Sequence, residues 1–326
     1  MKKLALALIL APLAASPLLA QPSVPTETVK VQAAPIPDSA VTGFVHTFTE
    51  PSALSGKIPR WFSGICVRTQ GLPRELADAV TKRIVDVATM VGAPVQDQPC
   101  TLNTVVIFDP DPQSVMDDIA ARNGDLLGPH NPAQTEALKK VRFPVQAWYA
   151  TETQDNNGTT VTDTMADQTN CGTTDDNVFN GSPTGALTGG IKVNPTAYSN
   201  AVNNMRRDCG KRVVKGSLLR DGVSSRLAAV TVVASLDTVR YHELAAVADY
   251  LALVILSQTK AFETCEKMET VANLLVPRCD LDGRIKGLMP GDLAFLKALY
   301  RADTGGTLVM QQASITAEMK KLLNAP

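Results

Sequence analysis

The feature that most constrains the fold is a nearly uninterrupted apolar run at residues 226–236, RLAAVTVVASL. A strand without alternation between polar and apolar residues is buried on both faces, which is typical of a central strand in a sheet. A second apolar stretch, LAAVADYLALVIL, follows within a helix predicted over residues 241–258. We therefore expect a core in which a central strand packs close to an apolar helix.

Shorter patterns along the chain predict the rest of this core. Further strands are predicted at 65–69, 101–109 and 145–153, and helices at 73–91, 112–122, 132–140, 266–275, 290–301 and 310–323. The tetrapeptide DNNG at 155–158 is a tight-turn signal, so the strand before it is expected to return as a hairpin. Together these elements predict an α+β fold, a twisted mixed sheet packed with helices, in a single domain spanning residues 58–326.

The first 57 residues are predicted to lie outside this domain. Lys2 and Lys3 precede an apolar run that ends near Ala20, which is the layout of a secretory signal peptide over residues 1–20. The run is short for a membrane span, so we expect export to the periplasm or the medium, with no integral membrane segment in the mature chain. Residues 21–57 contain five prolines and few bulky apolar groups, which predicts a disordered linker.

Charge and composition exclude some classes of partner. The formal net charge is -1, and removal of the predicted signal peptide with its two lysines makes it −3. A mildly acidic chain with scattered lysines and arginines lacks the basic surface that binds nucleic acid. Residues 164–210 are rich in Asn, Thr, Asp and Gly, which predicts a long polar loop within the domain.

Six cysteines in a chain predicted to be exported indicate disulfide bonds rather than metal thiolates, because export leads to an oxidising compartment. No two of them have the C-x-x-C spacing of a redox motif or a zinc knuckle. Proximity along the chain and the order of the elements favour three pairs, although other connectivities remain open. The favoured pairs are Cys66 with Cys100, Cys171 with Cys209, and Cys265 with Cys279.

A His-Glu pair, His242 and Glu243, opens the apolar helix, as it does in a zinc peptidase. Such a helix also needs a second His four residues after the first, and this position is Ala246. The other two imidazoles, His46 and His130, lie in the Pro-rich arm and in a turn. We therefore predict no metal site, no cofactor and no catalytic residue, with an atypical metal-dependent hydrolase using His242 and Glu243 as an alternative.

Other catalytic patterns are weaker still. Ser257 and Lys260 match the S-x-x-K spacing of penicillin-binding enzymes, but the companion motifs S-D-N and K-T-G do not follow. A G-x-S-x-G elbow, a P-loop and a dinucleotide-binding fingerprint are all missing from the sequence. Two alternatives stay open: a carboxylate-based hydrolase acting on cell-wall material, and a small-ligand binder that uses residues 164–210 as a lid.

Several segments between Cys66 and Tyr300 carry a family resemblance: CVRTQGLP, RIVDVATMVGAPV, PCTLNTVVI, LAAVTVVASL, LAAVADYLALVIL, VANLL and MPGDLAFLKALY. The chain resembles secreted bacterial proteins of unknown function that are related to the zincin-like metallopeptidase fold. In metallopeptidase-like relatives, a metal-binding helix precedes a D-x-x-x-L-x-x-L-Y helix, which is matched here by Asp292, Leu296, Leu299 and Tyr300. In the segment ADYLALVIL, Ala, Leu and Val stand where the metal ligands and the general base would be. The resemblance therefore implies a zincin-like architecture without its metal site, in a non-catalytic component of the cell envelope.

Overall fold

The computed structural model describes residues 36–53, 55–122, 136–155, 158, 160–161, 222–260, 262–280, 283–303 and 305–324. Residues 36–326 form one compact unit. Three of the sequence predictions lie outside the described residues: the signal peptide, the 164–210 loop and the Cys171–Cys209 pair. Within the described ranges, no helix has the length and hydrophobicity needed to cross a membrane.

The centre of the unit is a mixed sheet, as the sequence predicts. Its strands are β1 (Val67–Gln70), β2 (Thr104–Asp109), β3 (Val145–Asp155), β4 (Thr160–Val161) and β5 (Val223–Ser235). They lie in the order β1-β2-β5-β3-β4, with β1, β2 and β5 parallel and β3 antiparallel to both β5 and the two-residue edge strand β4. The apolar strand β5 therefore occupies the middle of the sheet, and β3 with β4 forms the predicted hairpin.

Helices cover the sheet, and most of them match their predicted ranges. They are α1 (Asp38–Phe48), α2 (Arg74–Val91), α3 (Pro112–Arg122), α4 (Leu236–Val239), α5 (Leu244–Leu256), α6 (Pro290–Arg301) and α7 (Leu308–Leu323). Gly92 ends α2 in the left-handed conformation, with a φ of 81°. The segment predicted as a helix at 266–275 is helical only as a 3₁₀ helix at Val271–Leu275.

Side chains on the two faces of the sheet belong to separate apolar clusters. Val106 and Phe108 of β2 join the larger cluster, which also contains buried residues of α1, α2, α5 and α6. Val105 and Ile107 point the other way and pack with Met116 of α3. Alternate residues of a strand face opposite sides, so α2 and α5 cover one face and α3 covers the other.

The predicted disordered linker at 21–57 is wrong in its described part, because α1 lies within it. Val41, Phe44, Val45 and Phe48 are all buried, and the rings of Phe44 and Phe48 stack with their centroids 4.1 Å apart. Their spacing puts all four on one face of a helix, which packs into the core beside Phe295. The flanking prolines lowered the average hydrophobicity of the segment and concealed this pattern.

Two of the predicted disulfides are confirmed. Cys66 and Cys100 are bonded, with 5.9 Å between their Cα atoms, and tie the entry to β1 to the segment before β2. Cys265 and Cys279 are bonded, with 5.4 Å between their Cα atoms, and enclose the 3₁₀ helix. The described part of the molecule is therefore a disulfide-stabilised mixed sheet with helices on both faces.

Candidate functional site

Helix α5, the apolar helix predicted from the sequence, is almost wholly internal. Every residue from Ala246 to Leu256 is buried. Asp249 is the one carboxylic acid among them. Because an isolated charge is costly to bury, the groups around this carboxylate decide what the helix can do.

Asp249 is held by two hydrogen bonds from a single guanidinium. Arg83 on α2 donates from Nε to Oδ1 at 2.5 Å and from Nη2 to Oδ2 at 2.9 Å. The backbone N–H of Leu288 donates to Oδ2 at 3.0 Å. Gly287 lets the chain come this close, since a Cβ there would overlap Oδ2. The hydrogen bond to Asp249 raises the pKa of Arg83, so this cation stays charged.

A second internal carboxylate, Asp292, lies near the start of α6. It accepts hydrogen bonds from Thr270 Oγ1 at 2.5 Å and from the backbone N–H groups of Val271 and Met289, each at 2.8 Å. These donors belong to the start of the 3₁₀ helix and the start of α6, so one side chain caps both. Burial raises the pKa of Asp292 to about 6, and the nearby Asp249 carboxylate raises it as well, while the three hydrogen bonds oppose this shift.

The carboxyl end of α5 is capped by side chains from several elements. An α-helix leaves its last four carbonyl groups without partners inside the helix. The donors to these oxygens are Ser257 Oγ to Leu253 at 2.7 Å, Tyr149 Oη to Val254 at 2.9 Å, Trp61 Nε1 to Ile255 at 2.9 Å, and Tyr300 Oη to Leu256 at 2.8 Å. Burial raises the pKa of both tyrosines, so they remain protonated donors.

His242 and Glu243, the residues of the alternative metal-dependent site, lie just before α5, and not in its first turn as the sequence suggests. His242 is partly exposed, and its backbone N–H donates to Val239 O at 3.0 Å. Glu243 is exposed and forms an ion pair with Lys286, with 2.6 Å between Nζ and Oε1. Among the residues described, no group of three or more His, Cys, Asp and Glu side chains is arranged to hold a metal ion.

His46, Ser257 and Lys260 do not lie at this helix start. His46 is exposed on α1, and His130 lies outside the described residues. Ser257 is buried with its hydroxyl donating to Leu253 O, so it is used as a cap. Lys260 is exposed, with Nζ 3.1 Å from Glu50 Oε2. The hydrogen bond of Ser257 and the ion pair of Lys260 both serve the local structure.

Sequence reasoning missed the cation that neutralises Asp249. An acidic residue in the middle of an apolar helix does signal that a partner must exist. It cannot say which basic residue supplies the charge, because Arg83 lies 166 residues away along the chain. The aromatic donors to α5 also come from distant segments, with 194 residues between Trp61 and Ile255.

No family model matches the chain. No curated protein and no solved structure matches it either. What can be said about function therefore comes from the residues and contacts of the chain itself.

Proposed function

We propose that this is an exported, non-catalytic protein of the bacterial cell envelope, built on a metallopeptidase-like architecture without a metal site. The observation that carries this proposal is the state of Asp249, the single carboxylate within α5. Both of its oxygens are engaged by Arg83, and Oδ2 also accepts from Leu288 N–H. A carboxylate in this arrangement holds α2, α5 and the loop before α6 together.

Catalysis by a hydrolytic metal centre needs three converging protein ligands and an open position for water. The acidic groups near α5 are committed elsewhere: Glu243 pairs with Lys286, and Asp292 accepts three hydrogen bonds at two helix starts. Position 246, where a second histidine would stand, is a buried alanine. These contacts favour a structural or binding role over hydrolysis.

The order of elements supports the metallopeptidase-like part of the proposal. The central strand β5 leads into the apolar helix α5, then into the short 3₁₀ segment, and then into α6. This is the order that the resemblance implies. Asp292 and Tyr300, which belong to the matched motif, act here as a cap of two helix starts and as a donor to the end of α5.

The export part of the proposal depends on the N-terminal sequence and on the disulfides. Lys2, Lys3 and the apolar run that follows are typical of a secretory signal peptide. Two disulfides in the folded unit are compatible with an oxidising compartment. The proposed location is the periplasm or the medium.

Metal content tests the proposal directly. Protein purified without a His tag, with its disulfides intact, is analysed for zinc per mole after incubation with zinc and gel filtration. We expect a substoichiometric amount that is the same in the wild type, in His242→Ala and in the matched variant His46→Ala. One zinc per chain that is lost in His242→Ala and retained in His46→Ala would establish the alternative, a metal-dependent hydrolase.

The carboxylate alternative needs a separate assay. Purified wild-type protein is incubated with peptidoglycan and with cell-wall polysaccharide, and soluble products are measured. We expect none above the level of heat-denatured protein. Release of products that is abolished by Glu243→Gln, in a variant whose unfolding curve is unchanged, would show that the protein is an enzyme.

A further inference from the structure

Two buried hydroxyl groups face each other across the sheet without a hydrogen-bond partner. Thr153 on β3 and Ser225 on β5 are directly opposite in the antiparallel register. The two residues are 6% and 1% exposed, and neither Thr153 Oγ1 nor Ser225 Oγ has a hydrogen-bond partner among the described residues. Buried side-chain hydroxyls are nearly always hydrogen-bonded to protein or to ordered water, so a facing pair without partners calls for an explanation.

A third hydroxyl of the same kind lies in the neighbouring loop 52–57. Thr151 is two residues before Thr153 and therefore on the same face of β3, and its Oγ1 is 2.8 Å from Ser52 Oγ. The loop closes on itself through Gly56 N–H to Ser52 O and Ser52 N–H to Lys57 O, each at 2.8 Å. Ser55 belongs to this loop, and its buried Oγ has no partner.

The pairing of β3 with β5 is irregular close to Thr153 and Ser225. The register between β3 and β5 shifts between Ala150 and Thr151, next to these residues. Such an irregularity interrupts the ladder and bends the strand that carries the extra residue. Opposed residues in an antiparallel pair have Cβ atoms about 4.5–5.5 Å apart, so one small molecule can contact both hydroxyls.

The groups around the hydroxyls of Thr153 and Ser225 favour an uncharged molecule between them. Glu152 precedes Thr153 on β3, Arg226 follows Ser225 on β5, and these two charged residues form an ion pair. Because neighbouring residues of a strand point to opposite faces, this ion pair lies on the other face of the sheet. Hydroxyl groups both donate and accept, so they suit a partner that does the same. An ion in this place would lack a counter-charge, which burial penalises.

We propose that a buried water molecule bridges Thr153 Oγ1 and Ser225 Oγ. A buried water typically makes about three hydrogen bonds to polar groups that would otherwise have none. Here Thr153 Oγ1 and Ser225 Oγ supply two of these bonds. The water joins β3 to β5 near the end of their pairing, and the site is independent of the function proposed above.

A high-resolution crystal structure of the wild type tests the site. We expect a fully occupied water within hydrogen-bond distance of both Thr153 Oγ1 and Ser225 Oγ. A direct hydrogen bond between these two atoms would overturn the proposal, and so would a map without density for a water there. Thr153→Ser, which keeps the hydroxyl, should retain the water, whereas Thr153→Val should lose it.

Urea unfolding gives a second test. It distinguishes a hydroxyl that is hydrogen-bonded to a water from a hydroxyl without a partner, because Thr153→Val should shift the urea midpoint differently in the two cases. If a water pairs with Thr153, Thr153→Val removes hydrogen bonds and lowers the urea midpoint, while Thr153→Ser keeps them. If the hydroxyl has no partner, removing it relieves the free-energy cost of burying an unbonded polar group, and the urea midpoint stays the same or rises. Thr104→Val is the matched control, because Thr104 is a buried strand residue whose hydroxyl donates to Asn103 Oδ1 at 3.2 Å.

Discussion

Asp249 and Arg83 form an unequal pair, because the carboxylate is internal and the guanidinium is not. The Asp249 side chain is 4% exposed, whereas that of Arg83 is 38% exposed. Loss of the arginine would leave a buried charge with only the Leu288 N–H, while loss of the carboxylate would leave a cation that water can reach. The two partners therefore contribute differently to stability, although they share the same hydrogen bonds.

We predict that Arg83→Met lowers the free energy of unfolding at neutral pH by on the order of 3 kcal/mol, and Asp249→Asn by about 1–2 kcal/mol. The asparagine can still accept from Leu288 N–H. The measurement is urea unfolding at one pH for both variants. Asp78→Asn is the matched control, since it breaks an exposed pair with Arg74 and should have little effect. A larger loss of unfolding free energy in Asp249→Asn than in Arg83→Met would contradict the prediction that the buried carboxylate depends on the arginine.

The pH dependence of stability should report on Asp292. Its pKa is raised by burial to about 6 in the folded protein, above the ordinary value of 3.8. A carboxyl group of this kind stabilises the fold when it is protonated, below about pH 4, and this stabilisation is lost as the pH rises through 6.

The wild type should therefore lose on the order of 3 kcal/mol relative to Asp292→Asn between pH 4 and pH 7. The measurement is urea unfolding of both proteins across this range, because the difference between them cancels the titration of the other groups. Asp78→Asn, which changes an exposed carboxylate, serves as the control and should run parallel to the wild type. A difference between wild type and Asp292→Asn that does not vary with pH would exclude a raised pKa.

Helix α5 shows at the scale of an element how distant segments fix one helix. Its last four carbonyls receive hydrogen bonds from side chains of β3, of α6, of the segment before β1 and of the residue just after the helix. When a buried carbonyl loses its donor, the free energy of unfolding falls by more than the net contribution of one hydrogen bond, because water cannot replace the lost donor. The aromatic side chains therefore stabilise α5 through their polar atoms as well as through packing.

We predict that Tyr149→Phe and Tyr300→Phe each lower the free energy of unfolding by about 1–2 kcal/mol, since each keeps the ring and removes only the hydroxyl. Tyr241→Phe is the control, because Tyr241 is 76% exposed and should change stability by less than about 0.5 kcal/mol. Equilibrium unfolding in urea measures all three variants. Equal effects of the exposed and buried substitutions would mean that the hydroxyls do not cap the helix.

The elements that could be predicted from the sequence are those with a strong local pattern. The apolar run lies in β5 from residue 226 to residue 235, and residues 290–301 form α6 with the predicted bounds. Helix α1 was missed because its four core residues sit among prolines. The pairing order of the strands, the Arg83–Asp249 contact and the aromatic caps join residues far apart in the chain, and no local pattern contains them.

At the scale of the whole molecule, the two disulfides close loops of different length. Cys66 and Cys100 are 34 residues apart, and Cys265 and Cys279 are 14 residues apart. A longer closed loop removes more freedom from the unfolded chain, so its bond stabilises the folded state more. The Cys66–Cys100 bond ties strands of the sheet, while the Cys265–Cys279 bond holds the segment that Asp292 caps.

We predict that the double variant Cys66→Ser/Cys100→Ser loses about 4 kcal/mol of unfolding free energy, and Cys265→Ser/Cys279→Ser about 3 kcal/mol. Paired serine substitutions isolate one bond at a time, which a reductant cannot do in a chain of six cysteines. Urea unfolding of the oxidised proteins gives the two losses, and the wild type is the reference. A loss near zero for either pair would mean that the bond adds nothing to a fold already fixed by its core. The reverse order would mean that strain or residual structure, and not loop length, sets the contribution of each bond.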